Sequence, residues 1–177
     1  TADMADCITK AADIGAAVVN LSYQTYGNGT ISQAILDAAT YAEGKGTLVV
    51  IASGNEGTQP VTSQDPTNIV YVGATMEGNT VSTFSNYGPY VDLAAPGEDI
   101  VTTGVETSCV DANGNGVADR GECTSDGGGY YYASGTSFAA PIVAGAAALL
   151  KSIRPTATPA DLRTALYNSA KDIGTTG

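Results

Sequence analysis

Three short, almost uninterrupted apolar runs constrain the fold of this chain most strongly. They cover residues 16–21, 48–52 and 69–74, and a segment with a helical pattern lies between the first two. Strands that are apolar at nearly every position, rather than at alternate ones, are covered on both faces. Strands of this kind alternating with helices predict the α/β class, a doubly wound parallel sheet with helices on both faces.

Apolar residues at three- and four-residue steps, the period of an α-helix, recur in four segments. Helices are expected over residues 3–14, 31–44, 137–154 and from 159 onward, and short extended segments at 91–94, 100–103 and 130–132. Thr30 and Gln33 have the spacing of a capping box at the second helix. Thr158 and Asp161 repeat that spacing at the last helix, with Pro159 at the first helical position. No repeat or linker divides the chain.

Acidic residues outnumber basic ones, with 18 Asp and Glu against 7 Lys and Arg and a formal net charge of −11. Phosphate-rich partners need a basic face, so this balance argues against nucleic acid and anionic membranes. No stretch is expected to reach the roughly 18 apolar residues of a membrane helix, since Pro141 and Gly145 interrupt the best candidate. We therefore expect neither nucleic acid nor a membrane as a partner.

The chain has three cysteines, of which Cys109 and Cys123 enclose a polar loop. This arrangement suits a disulfide and an oxidising compartment, and so a secreted protein; the alternative is two reduced surface thiols. Closing a loop of this size stabilises a fold by about 3 kcal/mol. Cys7 is left over, either as a buried apolar residue or as the partner of a cysteine outside this sequence.

A serine at the expected start of the third helix is the first candidate for chemistry. Gly135 permits a sharp turn before Ser137, and the helix that follows directs unpaired N–H groups and a partial positive charge toward its hydroxyl. Such a site would stabilise an oxyanion that forms beside the serine. The plainer interpretation is that Ser137 only caps a buried helix.

Asn55 is the second candidate, because it follows the buried strand over residues 48–52. The small residues Ser53 and Gly54 between them leave room for a substrate chain to approach the backbone. A carboxamide held at this position can donate a hydrogen bond to developing negative charge. The alternative is an ordinary turn asparagine, since Gly-Asn-Glu-Gly also favours a turn.

Together these segments resemble the subtilisin-like serine proteases (subtilases), and the resemblance runs through nearly the whole chain. Gly135-Thr136-Ser137-Phe138-Ala139-Ala140-Pro141 and the residues up to Gly145 resemble the nucleophile motif of that family. Residues 49–57 resemble its oxyanion-hole segment, residues 18–22 its substrate-binding strand, and residues 84–88 and 94–97 are also family-like. The resemblance implies a subtilisin-like fold, incomplete on its N-terminal side, with residues 1–177 as the C-terminal part of a catalytic domain.

The resemblance also implies roles for individual residues. Ser137 would be the nucleophile, and Asn55 with the Ser137 amide would form the oxyanion hole. Seven further residues would line the substrate cleft, most of them by backbone pairing: Ser22, Tyr23, Gln24, Ala52, Ser53, Gly54 and Thr136. Gln24 stands where the family commonly has glycine.

The chain departs from the family in lacking a base for Ser137, since it contains no histidine. A serine hydroxyl is a poor nucleophile until a base accepts its proton. Subtilisins carry their catalytic residues in the order Asp, His, Ser, and the first two motifs would precede this chain. Three explanations are open: a piece of a longer or cleaved enzyme, a degenerate non-catalytic relative, or a different base such as Lys151 or Lys45.

Residues 111–122 have the spacing of a calcium-binding loop inside the insertion at 109–123. Oxygen ligands recur at alternating positions, as a hard cation with six to eight oxygen ligands requires. The expected ligands are Asp111, Asn113, Asn115, Asp119 and Glu122, with the backbone carbonyl of Val117. No helices flank the loop, and the alternative is a polar surface insertion closed by a disulfide.

These observations predict a serine endopeptidase that hydrolyses peptide bonds through an acyl-enzyme. This chain would supply the nucleophile and the oxyanion hole and would be inactive alone. Its expected partners are polypeptide substrates and the missing N-terminal part of the catalytic domain, with Ca²⁺ as a bound ion. The alternative function is a calcium-binding, protease-derived interaction module without turnover.

Overall fold

The computed structural model describes residues 2–23, 26–27, 30–59, 66–103 and 130–173. Its helices are α1 (Ala2–Asp13), α2 (Gln33–Gly44), α3 (Thr136–Ile153) and α4 (Pro159–Ser169). Its strands are β1 (Val18–Leu21), β2 (Tyr26–Gly27), β3 (Thr30–Ile31), β4 (Leu48–Ala52), β5 (Ile69–Met76), β6 (Thr80–Val81), β7 (Leu93–Pro96), β8 (Ile100–Thr103) and β9 (Tyr130–Ala133). The three apolar runs of the sequence correspond to β1, β4 and β5.

The central sheet is parallel along β1, β4, β5 and β7. Val18 lies opposite Leu48, and the next step of the sheet pairs Val49 with Ile69. Strand β7 pairs with the other side of β5, and the short β6 runs antiparallel to the end of β5. The predicted parallel sheet is therefore confirmed.

Helices cover both faces of this sheet. Side chains along a strand alternate between the faces, and here both sets are apolar. Val49 and Ile51 point to the face that packs against α1 and α2. Leu48, Val50 and Ala52 point to the opposite face, which packs against α3 and α4. Every residue of β4 is buried, so the uninterrupted apolar pattern and the doubly wound prediction agree with the structure.

Two local predictions about helix ends have opposite outcomes. Thr158 and Asp161 form the expected capping box at α4, with each side chain bonded to the other residue's backbone N–H. The predicted box of Thr30 and Gln33 is wrong, because Thr30 belongs to β3 and α2 begins after Ser32, which makes no side-chain cap. Gln33 instead donates to the carboxylate of Asp37.

The longest helix, α3, corrects the expectation about membrane-helix length. It has 18 residues and, alone among the described helices, is long and apolar enough to cross a membrane by length and composition. Core helices meet the same criterion, and six residues of α3 are buried: Thr136, Ala139, Ala140, Val143, Ala144 and Ala147. Pro141 does not end the helix, since it lies in its second turn.

The segment between β8 and β9 contains the predicted insertion. Thr103 lies opposite Tyr130 in an antiparallel ladder, so β8 and β9 are neighbours where the described residues stop and resume. The predicted strand over residues 130–132 is thus confirmed, although Tyr130 and Tyr132 expose half or more of their surface. Cys109, Cys123 and the predicted calcium ligands lie outside the described residues. Cys7 is exposed, so its interpretation as a buried residue is wrong.

Candidate active site

The site lies at the carboxyl ends of the parallel strands, where α/β sheets generally bind ligands. Ser22 directly follows β1, and Asn55 follows β4 after two small residues. The candidate nucleophile, Ser137, does not follow a strand but lies in the first turn of α3. The amide of Gly135 donates to the carbonyl of Gly97 (2.7 Å), which holds the start of α3 next to the end of β7.

Gly97 has no side chain because three neighbours fill that space. A Cβ at Gly97 would lie 2.6 Å from the Cβ of Ala74, 3.0 Å from the carbonyl oxygen of Gly135 and 3.2 Å from the Cβ of Ala139. The small residues that the sequence places at β5, β7 and α3 therefore allow α3 to approach the sheet closely enough to present Ser137 at its edge.

The structure does not support the interpretation of Ser137 as a helix cap. Gly135 is the N-cap of α3, and Ser137 is the second residue inside the helix. In this first turn the amide of Thr136 donates to Asn55 and the amide of Phe138 donates to the carbonyl of Gly135. The amide of Ser137 has no hydrogen-bond partner among the described residues, so it is a free donor beside the Ser137 hydroxyl.

The side chain of Asn55 is held by the residue that precedes Ser137. Its Oδ1 accepts the amide of Thr136 (2.8 Å) and the hydroxyl of Thr136 (2.9 Å). Both bonds engage the oxygen of the carboxamide, and in the described part of the chain Nδ2 has no acceptor. These contacts link loops 81 residues apart, so they do not fit the interpretation of Asn55 as an isolated turn residue.

Thr136 is fully buried, and its hydroxyl also accepts the amide of Gly54 (3.1 Å). This position makes Thr136 a link between the loop after β4 and the nucleophile turn. The substrate-binding role predicted for Thr136 stays a prediction, and the contacts that the structure gives it are with Gly54 and Asn55.

Ser22 and Ser137 are joined by two reciprocal hydrogen bonds. The Ser22 hydroxyl donates to the Ser137 carbonyl (2.8 Å), and the Ser137 hydroxyl donates to the Ser22 carbonyl (3.2 Å). The Ser137 carbonyl is available because Pro141, four residues later, has no N–H to donate to it. Asn20 extends this set of hydrogen bonds by donating from Nδ2 to the Ser22 hydroxyl (2.9 Å).

The other predicted cleft residues fall into two groups. Tyr23 is exposed, beside Ser22 at the end of β1, and Gln24 lies outside the described residues. Ala52, Ser53 and Gly54 are buried at the end of β4. The amide of Ser53 donates to Val72, and the carbonyl of Gly54 accepts the amide of Asn86. These backbone groups of Ser53 and Gly54 are bonded within the protein, and the pairing of residues 52–54 with a substrate stays a prediction.

Neither lysine considered as an alternative base lies near Ser137. Lys45 follows α2, at the opposite end of the sheet, where it pairs with Asp13 (3.3 Å). A hydrogen bond with Tyr41 and a second with Asp13 raise the pKa of Lys45, which keeps it protonated. Lys151 is 14 residues along α3 from Ser137, about 21 Å at 1.5 Å per residue. Its Nζ donates to the carbonyl of Ala157.

Two residues that contact the candidate site were not singled out in the sequence. One is Asn20, which orients the Ser22 hydroxyl. The other is Asn86, a buried carboxamide bonded to the loop that carries Asn55. Asn86 belongs to the family-like segment 84–88, and that membership was the only signal for it.

Comparison with known proteins identifies the class. The family model described as "Subtilase family" matches residues 1–177. The chain is 38% identical to the thermophilic serine proteinase of Bacillus sp. (strain AK1), over 99% of this chain and 37% of that protein. It is 39% identical to thermitase of Thermoactinomyces vulgaris, over 98% of this chain and 53% of that protein. The chain belongs to the subtilase family.

Solved structures agree with this assignment. A cold-adapted subtilisin-like serine proteinase superimposes with a TM-score of 0.75 at 28% identity, covering 99% of this chain and 57% of that one. A protease from Pseudoalteromonas arctica PAMC 21717 gives a TM-score of 0.77 at 29% identity, covering 97% and 52%. The subtilisin-like α/β fold is therefore shown, and the chain spans between about a third and about half the length of these curated relatives.

Proposed function

We propose that Ser137 is the nucleophile of a serine endopeptidase and that two donors beside it form the oxyanion hole. The observation that carries the proposal is the pattern of satisfied and free groups around Ser137. The oxygen of the Asn55 carboxamide is fixed by Thr136, while Asn55 Nδ2, on the loop after β4, and the Ser137 amide, in the first turn of α3, have no acceptor among the described residues. The positive end of α3 adds to the attraction for an oxyanion at this point.

The chemistry then follows the general course of acyl transfer. Ser137 Oγ attacks the scissile carbonyl carbon as a base accepts its proton, and the carbonyl oxygen becomes an oxyanion held by the two donors. Collapse of the tetrahedral intermediate breaks the C–N bond, and the departing amine takes the proton. Water then attacks the resulting Ser137 ester while the base accepts a proton from the water. The C–O bond to Ser137 breaks and Ser137 Oγ takes that proton, which releases the acid and restores the serine.

The substrate chain would lie along the residues after β1. The carbonyl of Ser22 already accepts a hydrogen bond from Ser137, so it can accept one from a substrate N–H instead. Tyr23 is exposed beside it, and the buried segment 52–54 would form a wall on the other side. We propose polypeptides as the substrate class on this basis and on family membership.

The base and its orienting carboxylate would come from a segment outside these 177 residues. Two bare surfaces support this proposal. Strand β1 is an edge of the described sheet, paired only with β4. Beside it, α3 exposes an apolar stripe that includes Ile142, Leu149 and Ile153, the last two more than 70% exposed. Subtilases carry their Asp and His motifs before this region, so we propose that this part of the domain covers both surfaces.

Without that segment the chain should not turn over substrate. Within the described residues, the Ser137 hydroxyl contacts only a backbone carbonyl, which cannot accept its proton during attack. The whole sequence contains no histidine, so the rest of the chain does not supply the usual base either.

The calcium loop, the disulfide and secretion remain parts of the proposal. The oxygen-rich spacing of residues 111–122 supports calcium, and the position of Cys109 and Cys123 on either side of these residues supports the disulfide. A relative from Xanthomonas campestris is named an extracellular protease, which favours secretion. Calorimetric titration with millimolar calcium tests the ion: no heat and no gain in melting temperature would remove it.

The absence of histidine also supports a second candidate, a calcium-binding interaction module derived from a protease. Reading the coding region before Thr1 separates the two. An Asp-x-Gly and a His-Gly segment there would support the peptidase, and their absence would support the module.

A burst assay with an activated acyl ester tests the proposed chemistry. The 177-residue chain should release no burst of product. The full-length gene product should release one equivalent and carry the acyl group on Ser137, while its Ser137→Ala variant should release none. A stoichiometric burst from the 177-residue chain, or an acyl group mapped to another residue of the full-length protein, would contradict the proposal.

A further inference from the structure

The loop after β4, residues 53–58, is wrapped around a single buried carboxamide, that of Asn86. Only 1% of the Asn86 surface is exposed. Its Oδ1 accepts the amides of Glu56 (3.2 Å) and Thr58 (3.1 Å). Its Nδ2 donates to the carbonyl of Ser53 (3.1 Å) and to the carboxylate of Glu56 (2.7 Å). Both donors and both acceptor positions of the side chain are therefore used.

These bonds fix the backbone on each side of Asn55. Before it, the carbonyl of Gly54 accepts the backbone amide of Asn86 (3.0 Å). After it, Glu56 is bonded to Asn86 through both its amide and its carboxylate. Asn55 thus lies between Gly54, which the backbone of Asn86 holds, and Glu56, which the side chain of Asn86 holds.

Two further contacts keep this loop against the segment that carries Asn86. The hydroxyl of Tyr90 donates to the carbonyl of Ser53 (3.2 Å), and burial raises the pKa of Tyr90, so it remains a donor at ordinary pH. Gly57 donates to the carbonyl of Phe84 (2.7 Å) at a φ of +62°, and a Cβ there would lie 2.6 Å from the carbonyl oxygen of Thr83.

We infer that Asn86 is the positioning residue of the oxyanion hole, because it holds the loop that aims Asn55 Nδ2 at the reacting carbonyl. The inference rests on the proposed function and adds a residue that does not touch substrate. Thr136 fixes the carboxamide oxygen of Asn55, and Asn86 fixes the backbone from which that side chain projects. A displaced backbone would move the Nδ2 donor even with the Thr136 contacts present.

The variant Asn86→Asp tests this role at constant shape. It removes both donors and places a carboxylate against the Ser53 carbonyl and the Glu56 carboxylate. In the full-length gene product we expect kcat to fall by about 10-fold to 100-fold with little change in KM, the usual cost of misplacing a catalytic group by about 1 Å. Asn68→Asp is the matched control, since Asn68 is only partly buried and its side chain bonds only to Thr40 among the described residues.

The pH dependence of the variant gives a readout that a general loss of stability would not. The titratable groups that face position 86 are Glu56 and Tyr90. Protonation of the new carboxyl restores one O–H donor, so the ratio of variant to wild-type kcat should rise as the pH is lowered from 8 to 5. The ratio for Asn68→Asp should stay near one throughout.

A compensating pair keeps the test decisive if Asn86→Asp folds poorly. Adding Glu56→Gln supplies an amide donor to the new carboxylate, so the bond between the two positions re-forms with its direction reversed. The double variant should recover part of the lost kcat. Equal kcat for wild type and Asn86→Asp, or a loss without pH dependence and without rescue, would overturn the inference.

Hydrogen exchange separates this inference from the proposed function. In Asn86→Asp the amides of Glu56 and Thr58 should exchange faster, while amides within α4 keep their wild-type rates. A wild-type protein without peptidase activity would overturn the proposed function and the catalytic part of this inference. Unchanged exchange at Glu56 and Thr58 in an active protein would overturn the inference alone.

Discussion

The two sides of the Ser137 hydroxyl differ in the hydrogen bonds that the described residues make there. On the side of Asn55, the carboxamide oxygen of Asn55 is bonded to Thr136, Thr136 is bonded to Gly54, and the loop that carries Asn55 is bonded to Asn86. On the other side, the one hydrogen bond that the hydroxyl makes with the described residues is to the carbonyl of Ser22. Under the proposed function, charge stabilisation and proton transfer would be supplied by separate parts of the catalytic domain.

The largest expected effect comes from removing the side-chain donor. Asn55→Leu in the full-length protein should lower kcat by about 10²–10³-fold with KM nearly unchanged, a range that was itself measured on a subtilisin. Steady-state kinetics on a peptide substrate measure it. A variant with wild-type kcat would show that the Asn55 side of Ser137 contributes nothing to the reaction.

The next effect concerns the close approach of α3 to the sheet at Gly97, which places Ser137 at the edge of the sheet. Gly97→Ala should lower the free energy of unfolding by about 1–3 kcal/mol, because the new methyl overlaps Ala74 and the Gly135 carbonyl. Chemical denaturation provides the measurement. Gly44→Ala, at an exposed helix end with open space around it, is the matched control and should be neutral or slightly stabilising. Equal stability for both variants would mean that α3 can shift without cost.

A smaller effect is expected far from the site, at the start of α4. Thr158→Ala removes the capping box and should cost about 1 kcal/mol at neutral pH. Hydrogen bonds from the Thr158 backbone and hydroxyl lower the pKa of Asp161, so this carboxylate stabilises the fold above its ordinary pKa of 3.8 and loses that contribution as the pH falls below it.

Denaturation of wild type and Thr158→Ala at pH 7 and pH 3 measures this contribution. The difference between the two proteins should be larger at pH 7. A difference that grows toward pH 3 would contradict the assignment.

The smallest effect sharpens the comparison on the open side of Ser137. Ser22→Ala removes the donor to the Ser137 carbonyl, whereas Pro141→Ala supplies an amide that can bond to the same carbonyl. A double-mutant cycle should therefore show a coupling of about 0.5–1 kcal/mol, with Ser22→Ala costing less when residue 141 is alanine. Additive effects would show that the missing amide of Pro141 does not create the acceptor that Ser22 uses.

Much of the fold could be predicted because it depends on local patterns. The apolar runs at β1, β4 and β5 indicated buried parallel strands, and Thr158 with Asp161 indicated the start of α4. The predictions failed where tertiary contacts decide the ends of elements. Strand β7 covers Leu93–Pro96 instead of residues 91–94, because it follows its pairing register with β5.

The candidate site shows the same division. Ser137 and Asn55 could be identified because they belong to contiguous motifs. The contacts of Thr136 and Asn86 could not, because they join residues 81 and about 30 positions apart in the sequence. Nothing in a short sequence window indicates that a carboxamide such as Asn86 is buried with all of its hydrogen-bonding groups in use.

The most direct test of the account is a crystal structure of the full-length protein with a peptide aldehyde bound. The aldehyde should form a hemiacetal with Ser137 Oγ, with its oxygen about 2.7–3.1 Å from both Asn55 Nδ2 and the Ser137 amide. A hemiacetal oxygen that points away from these two donors, or an aldehyde attached to a different residue, would contradict the account.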